Sequence, residues 1–182
     1  MMKSKQTLQQ TIFLGILCAE GIILGIIEQS LPPIFAFAPG AKIGLTNIIT
    51  VIALLILPFS DCLLLIFLRV TLTALISGTV STFIYAFSGA FLSLLIMKAF
   101  MIFYPKFLSI VGISIIGGVI HNLGQLLVAA LIAKSWYIML YLPILTVMGI
   151  LAGILVGVTS SYLMHYINAL SFIKNKLFIT ER

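Results

Sequence analysis

From Val70 to Met97, from Phe107 to Ala133 and from Ser135 to Ile173 the chain carries no formal charge. Apolar segments of that length exceed the roughly 18–20 residues that cross the hydrocarbon core of a bilayer. Inside that core each backbone N–H and C=O must be satisfied within the chain, and long apolar segments do this as helices. Composition agrees. The 182 residues are 62% hydrophobic and 8% charged, whereas a soluble domain is about a quarter charged. Such a chain cannot cover a water-facing surface. The expected fold is an all-α integral membrane bundle of six transmembrane helices, a single membrane domain over residues 1–182. The helices are expected at about 9–30, 44–59, 61–80, 83–104, 108–132 and 137–166.

The start, "MMKSKQTLQQTIF", is basic and then apolar, as a signal peptide would be. Glu20 and Glu28 in the apolar stretch, with no small-residue cleavage site, favour a retained first helix. Pro58 closes the second span, and Ser60 or Asp61 is the natural N-cap of the third. Cys18 and Cys62 are expected to be buried thiols, not a disulfide. The net charge of +6 is no nucleic-acid signal, because the lysines sit at the ends of apolar segments.

Those lysines set an orientation. With both termini in the cytoplasm, Lys3, Lys5, Lys98, Lys106, Lys174, Lys176 and Arg182 lie inside and Lys42 and Lys134 outside, with the intramembrane Arg69 left uncounted. The tail "SFIKNKLFITER" then lies near anionic headgroups. The longest connection is the outer one, "SLPPIFAFAPGAKIGLTN", residues 30–47. Its apolar residues suit a lid folded back on the bundle or an ordinary interfacial loop.

Polar groups inside the spans are the candidates for function, because each needs a partner in hydrocarbon. In the fifth span Gly118, His121, Asn122, Gln125 and Ala129 recur at helical spacing as one small-and-polar stripe. Ile116, Val119, Ile120, Leu123, Leu127 and Leu131 are expected to face lipid. The stripe is either interhelical hydrogen-bond glue or the wall of a pocket. Glu20 and Glu28 of span one lie about 80° apart around the helix. Arg69 of span three has Thr73 and Ser77 on its face and seeks a carboxylate, with Glu20 as the expected structural ion pair. Glu28 is left to face a substrate or Lys42. Asp61 reads as a cap and His165 as interfacial.

Small residues four apart mark close helix packing. Gly149, Gly153 and Gly157 form a ridge on span six, and span one carries Gly15 with Ala19 and Gly21 with Gly25. The span-six ridge suits internal packing, and the span-one face suits a partner subunit.

Some chemistry is missing. The acidic residues Glu20, Glu28, Asp61 and Glu181 are dispersed, whereas a magnesium-diphosphate enzyme needs clustered carboxylates. There is no P-loop and no credible metal, haem or iron–sulfur ligand set. The chain is expected to be no enzyme and to need no cofactor of its own.

"PGAKIGLTNIITVIALL" (39–55), Arg69, "SGAFLSLLIM" (88–97) and "GGVIHNLGQLLVA" (117–129) together resemble the Gx transporter family, whose members are labelled heptaprenyl diphosphate synthase component I. The resemblance covers nearly all six spans. The family is similar to the substrate-binding S components of energy-coupling-factor (ECF) transporters, and also to a small membrane component placed with flavin-based extracellular electron transfer in Gram-positive bacteria. It implies a multi-pass protein of the cell membrane, a ligand in the quinone, isoprenoid or flavin sphere, and either an ECF coupling subunit with its ATPases or a membrane-anchored flavoprotein as partners. It further implies a pocket near the outer leaflet, shared by spans one, two, three and five. There Lys42 and Asn47 approach the ligand from a lid, His121, Asn122 and Gln125 line the wall, and Arg69 lies deeper. The alternatives are a non-catalytic subunit of a quinone-linked electron-transfer complex and an accessory subunit of a prenyl diphosphate synthase.

Overall fold

The computed structural model describes residues 2–30 and 44–167, with side chains from Leu8 to Tyr166. Lys42, the 31–43 part of the outer connection with its lid, and the basic tail from 168 onward lie outside the described residues. Six α-helices follow in order among the described residues, with no strand: α1 (Met2–Ser30), α2 (Asn47–Ile56), α3 (Phe59–Ser77), α4 (Val80–Phe100), α5 (Ile110–Ile132) and α6 (Leu142–Ile167). Short 3₁₀ turns, Met101–Phe103 and Trp136–Tyr141, follow α4 and precede α6. The protein is an all-α membrane bundle. Five of its helical segments are long and apolar enough to cross a membrane.

The second helix is shorter than the expected span 44–59. It has 10 residues, so it is about 15 Å long, half the hydrocarbon thickness. Pro58 ends it, because the residue before a proline is pushed out of the helical region, and Leu57 is extended (φ −100°, ψ 152°). Every residue of α2 except Ile48 is buried, so it is enclosed by the other helices.

The start of α3 corrects the expected cap. Pro58 occupies the N-cap position and Asp61 falls in the first turn. The Asp61 carboxylate instead accepts a hydrogen bond from the Gln10 side chain, which ties the starts of α1 and α3. Proper N-caps appear further on. Thr79 and Thr82 form a capping box at α4, and the Ser109 hydroxyl accepts from the Gly112 N–H at 3.1 Å to start α5.

Two helix pairings hold the site. The first joins α1 and α3, which run parallel in a ladder: Gly21 lies against Arg69, Gly25 against Thr73, and Gln29 accepts from the Ser77 hydroxyl. Both helices repeat every four residues, so one register serves three contacts. The second is the stack of α4, α5 and α6. Ser88 donates to the Gly124 carbonyl at 3.2 Å and Ser93 to the Gly117 carbonyl at 2.9 Å. On the opposite side of α5, Gly118 meets Gly149 and Gly153 backbone to backbone. Helix pairs in lipid gain little from the hydrophobic effect and rely on such close approach. The span-six ridge is thus internal. Because α5 is held on both sides, Ile116, Val119, Ile120, Leu123 and Leu127 are half-buried, and of the expected lipid-facing set Leu131 is exposed.

Cys18 and Cys62 are buried free thiols. His165 is exposed and stands edge-on to Tyr166.

Candidate functional site

Arg69 is the centre of the polar interior. It sits midway along α3 and is 3% exposed. Its position follows from the α1–α3 ladder, in which Gly21 leaves room for the side-chain stem. Its Nη2 donates to the Thr50 hydroxyl of α2 at a long 3.4 Å, and its Nε has no partner. No carboxylate among the described residues forms an ion pair with it. Glu28 is the carboxylate whose charge acts on it.

The expected Glu20–Arg69 pair is therefore not formed. Glu20 precedes Gly21 by one step around α1, about 100° away from the face that meets α3, and is exposed. Glu28 is seven residues beyond Gly21, two turns along the same face, and is buried. Its Oε1 accepts the backbone N–H groups of Gly44 and of Leu45, the latter at 3.2 Å. A glycine is required there. Gly44 has φ +95°, and a Cβ on it would come within 3.2 Å of both Asn47 Nδ2 and His121 Cδ2.

A small cavity lies below this turn. It is lined by Gly21 and Gly25 of α1, Thr46 of the turn, Arg69 and Thr73 of α3, Ala86 and Ala90 of α4, and His121 of α5. Its volume for the centres of water-sized spheres is about 10 Å³, room for roughly one water. The chemistry on offer is hydrogen-bond donation and one fixed positive charge. Thr73 Oγ1 and both polar atoms of the Asn47 side chain are buried without partners, like Arg69 Nε. No three His, Cys, Asp or Glu side chains converge as a metal site among the described residues.

The structure brings together much of the expected set and separates one member. Arg69 and His121 line the cavity, Asn47 and His121 flank Gly44, and Glu28 holds the turn above. Gln125 is buried one turn beyond His121, with its Cγ against Gly89 of α4. Asn122 points elsewhere. Its Nδ2 donates to the Leu145 carbonyl of α6 at 2.9 Å, which is interhelical glue. Adjacent helix positions differ by about 100°, so His121 and Asn122 serve different interfaces. The wall from α4 was not foreseen, nor the use of Gly21 and Gly25 inside the bundle. Gly15, by contrast, has open space and lies with Ala19 on the outward face of α1.

A family model described as heptaprenyl diphosphate synthase component I matches residues 17–163. The chain belongs to that family. The match runs from α1, just before the ladder with α3, into α6, so it takes in each described residue of the cavity. No curated protein and no solved structure matches the chain.

Proposed function

We infer that this chain is a non-catalytic, substrate-capturing membrane component, and that its ligand is a small molecule with an anionic head and an apolar body. One observation carries this reading. A guanidinium stands at a cavity wall, 97% removed from solvent, with no ion-pair partner among the described residues. Burying an unpaired charge costs several kcal/mol, so such a group is retained where something with negative charge comes to it. Thr73 Oγ1, Arg69 Nε and the nearby Asn47 amide are donors still to be used.

The assembly that fits is an ECF-type transporter. The outward α1 face with Gly15 and Ala19 would receive the coupling subunit, whose ATPases would supply the energy this chain has no P-loop to provide. The lysine bias supports both termini in the cytoplasm, which puts the Glu28 end of α1 toward the outside, and the resemblance supports a Gram-positive cell. The family's description supports a second reading, an accessory membrane subunit of a prenyl diphosphate synthase. A diphosphate head would suit Arg69 in either assembly. Lys42 is proposed to approach the same head from the outer connection. A flavoprotein partner and a quinone ligand remain the outcome to expect if no anion binds.

The test is thermal stability of the purified protein in nanodiscs, titrated with inorganic diphosphate and with a short prenyl diphosphate. The reading predicts stabilisation that grows with concentration and disappears in Arg69→Gln. Equal stabilisation of both proteins would reject it. Co-purification with ATPases or with a prenyl synthase then separates the two assemblies.

A further inference from the structure

The cavity is too small for the ligand it is inferred to take. Room for roughly one water falls far below the ~300–1,000 Å³ of ordinary ligand sites, so one wall must move. Three walls are fixed. The α1 wall is pinned where Gly21 and Gly25 press on Arg69 and Thr73. The α4 wall is tied to α5 by Ser88 and Ser93, and α5 is backed by the glycine contact with α6 and by the Asn122 hydrogen bond. Displacing any of these would break backbone-to-backbone packing along whole helices.

The remaining wall is the turn Gly44–Thr46, which puts Thr46 into the cavity. Its three carbonyls bond within the start of α2, Gly44 to the Asn47 N–H at 2.9 Å, Leu45 to Ile48 at 3.1 Å and Thr46 to Ile49 at 3.2 Å. Among the described residues, its hydrogen bonds to another helix are the pair of N–H groups given to Glu28 of α1. Behind the turn, Gly44 packs on the His121 ring and on an Asn47 amide that has no hydrogen bond.

We propose that the Gly44–Thr46 turn is the gate of the cavity and that the Glu28 carboxylate is its latch. This rests on the proposed binding reading for what enters, and it changes the role of Glu28 from ligand contact to positioning residue. Releasing two N–H groups from one carboxylate frees the turn to swing about the start of α2. His121 and Asn47, now covered by Gly44, then face the opening along with Arg69. An arriving anion favours this step twice. It takes over the field on Arg69 that Glu28 now supplies, and its own charge repels the Glu28 carboxylate.

Hydrogen–deuterium exchange on the full-length protein in nanodiscs tests the latch without any ligand. In Glu28→Ala the amides of the 44–47 segment should exchange about tenfold faster or more than in the wild type, while those around 117–125 of α5 stay protected. Glu28→Gln, which keeps an acceptor but loses the charge, should fall between the two and serves if the alanine variant does not fold. Unchanged exchange at 44–47 in the folded variants would overturn the proposal. Stopped-flow binding of inorganic diphosphate adds a second readout. Faster association in either variant supports the gate, and association equal to that of a binding wild type overturns it. If the wild type binds no diphosphate, the anion reading fails by itself and the exchange result still decides the latch.

Discussion

Gly21 of α1 and Arg69 of α3 occupy one space: a methyl group on Gly21 would overlap Cδ of the arginine. The guanidinium stands at the cavity because α1 offers no side chain at that level. Gly21→Val should therefore push Arg69 aside, at about 1–3 kcal/mol of overpacking strain, and abolish anion-dependent stabilisation. Gly15→Val, on the same helix but facing open space, should leave folding and binding as they are. Thermal unfolding of both variants with and without inorganic diphosphate checks the contrast.

Arg69 itself separates a structural from a functional role. An arginine kept for stability would be missed on removal. One kept for a ligand burdens the empty protein, because among the described residues no ion pair offsets its burial. Arg69→Met should then leave the unliganded protein as stable as the wild type or raise its stability by about 1 kcal/mol or more. A drop of more than about 3 kcal/mol would point to a structural role.

His121 and Asn122 are neighbours with different tasks. Asn122→Ala removes the bond to the Leu145 carbonyl and should cost about 1 kcal/mol of stability, with ligand affinity unchanged. His121→Ala should weaken affinity about tenfold, or ~1.4 kcal/mol, with the bundle intact. Parallel melting and binding curves for the two variants read both effects, and an affinity loss confined to Asn122→Ala would reverse the assignment.

Gly44→Ala probes the turn. Its φ of +95° costs an L-residue about 1–2 kcal/mol, and the added Cβ would press on His121 and Asn47. Exchange at 44–47 should rise while the helices keep their protection.

Much of the fold was legible because apolar run length and proline position act locally. The order of six helices follows from runs such as 70–97, and Pro58 marks the break after α2. The burial of the short α2 was not legible, because hydropathy cannot tell a lipid-facing helix from one enclosed by protein. The site was legible in part. Arg69, Asn47 and His121 stood out as polar groups in apolar surroundings. Which carboxylate acts on Arg69 was not legible, since the choice between Glu20 and Glu28 depends on which face of α1 meets α3. Gly21 and Gly25 held that information, as the small residues that make room for Arg69 and Thr73. The α4 wall was hidden because Ala86 and Ala90 carry no chemistry of their own.

Native mass spectrometry of the protein released gently from its own membranes tests the central claim, that the Arg69 cavity holds an anionic small molecule. The account predicts one such molecule on the wild type and on Asn122→Ala, and none on Arg69→Gln. The same molecule retained on Arg69→Gln, or a neutral one on all three proteins, would contradict it.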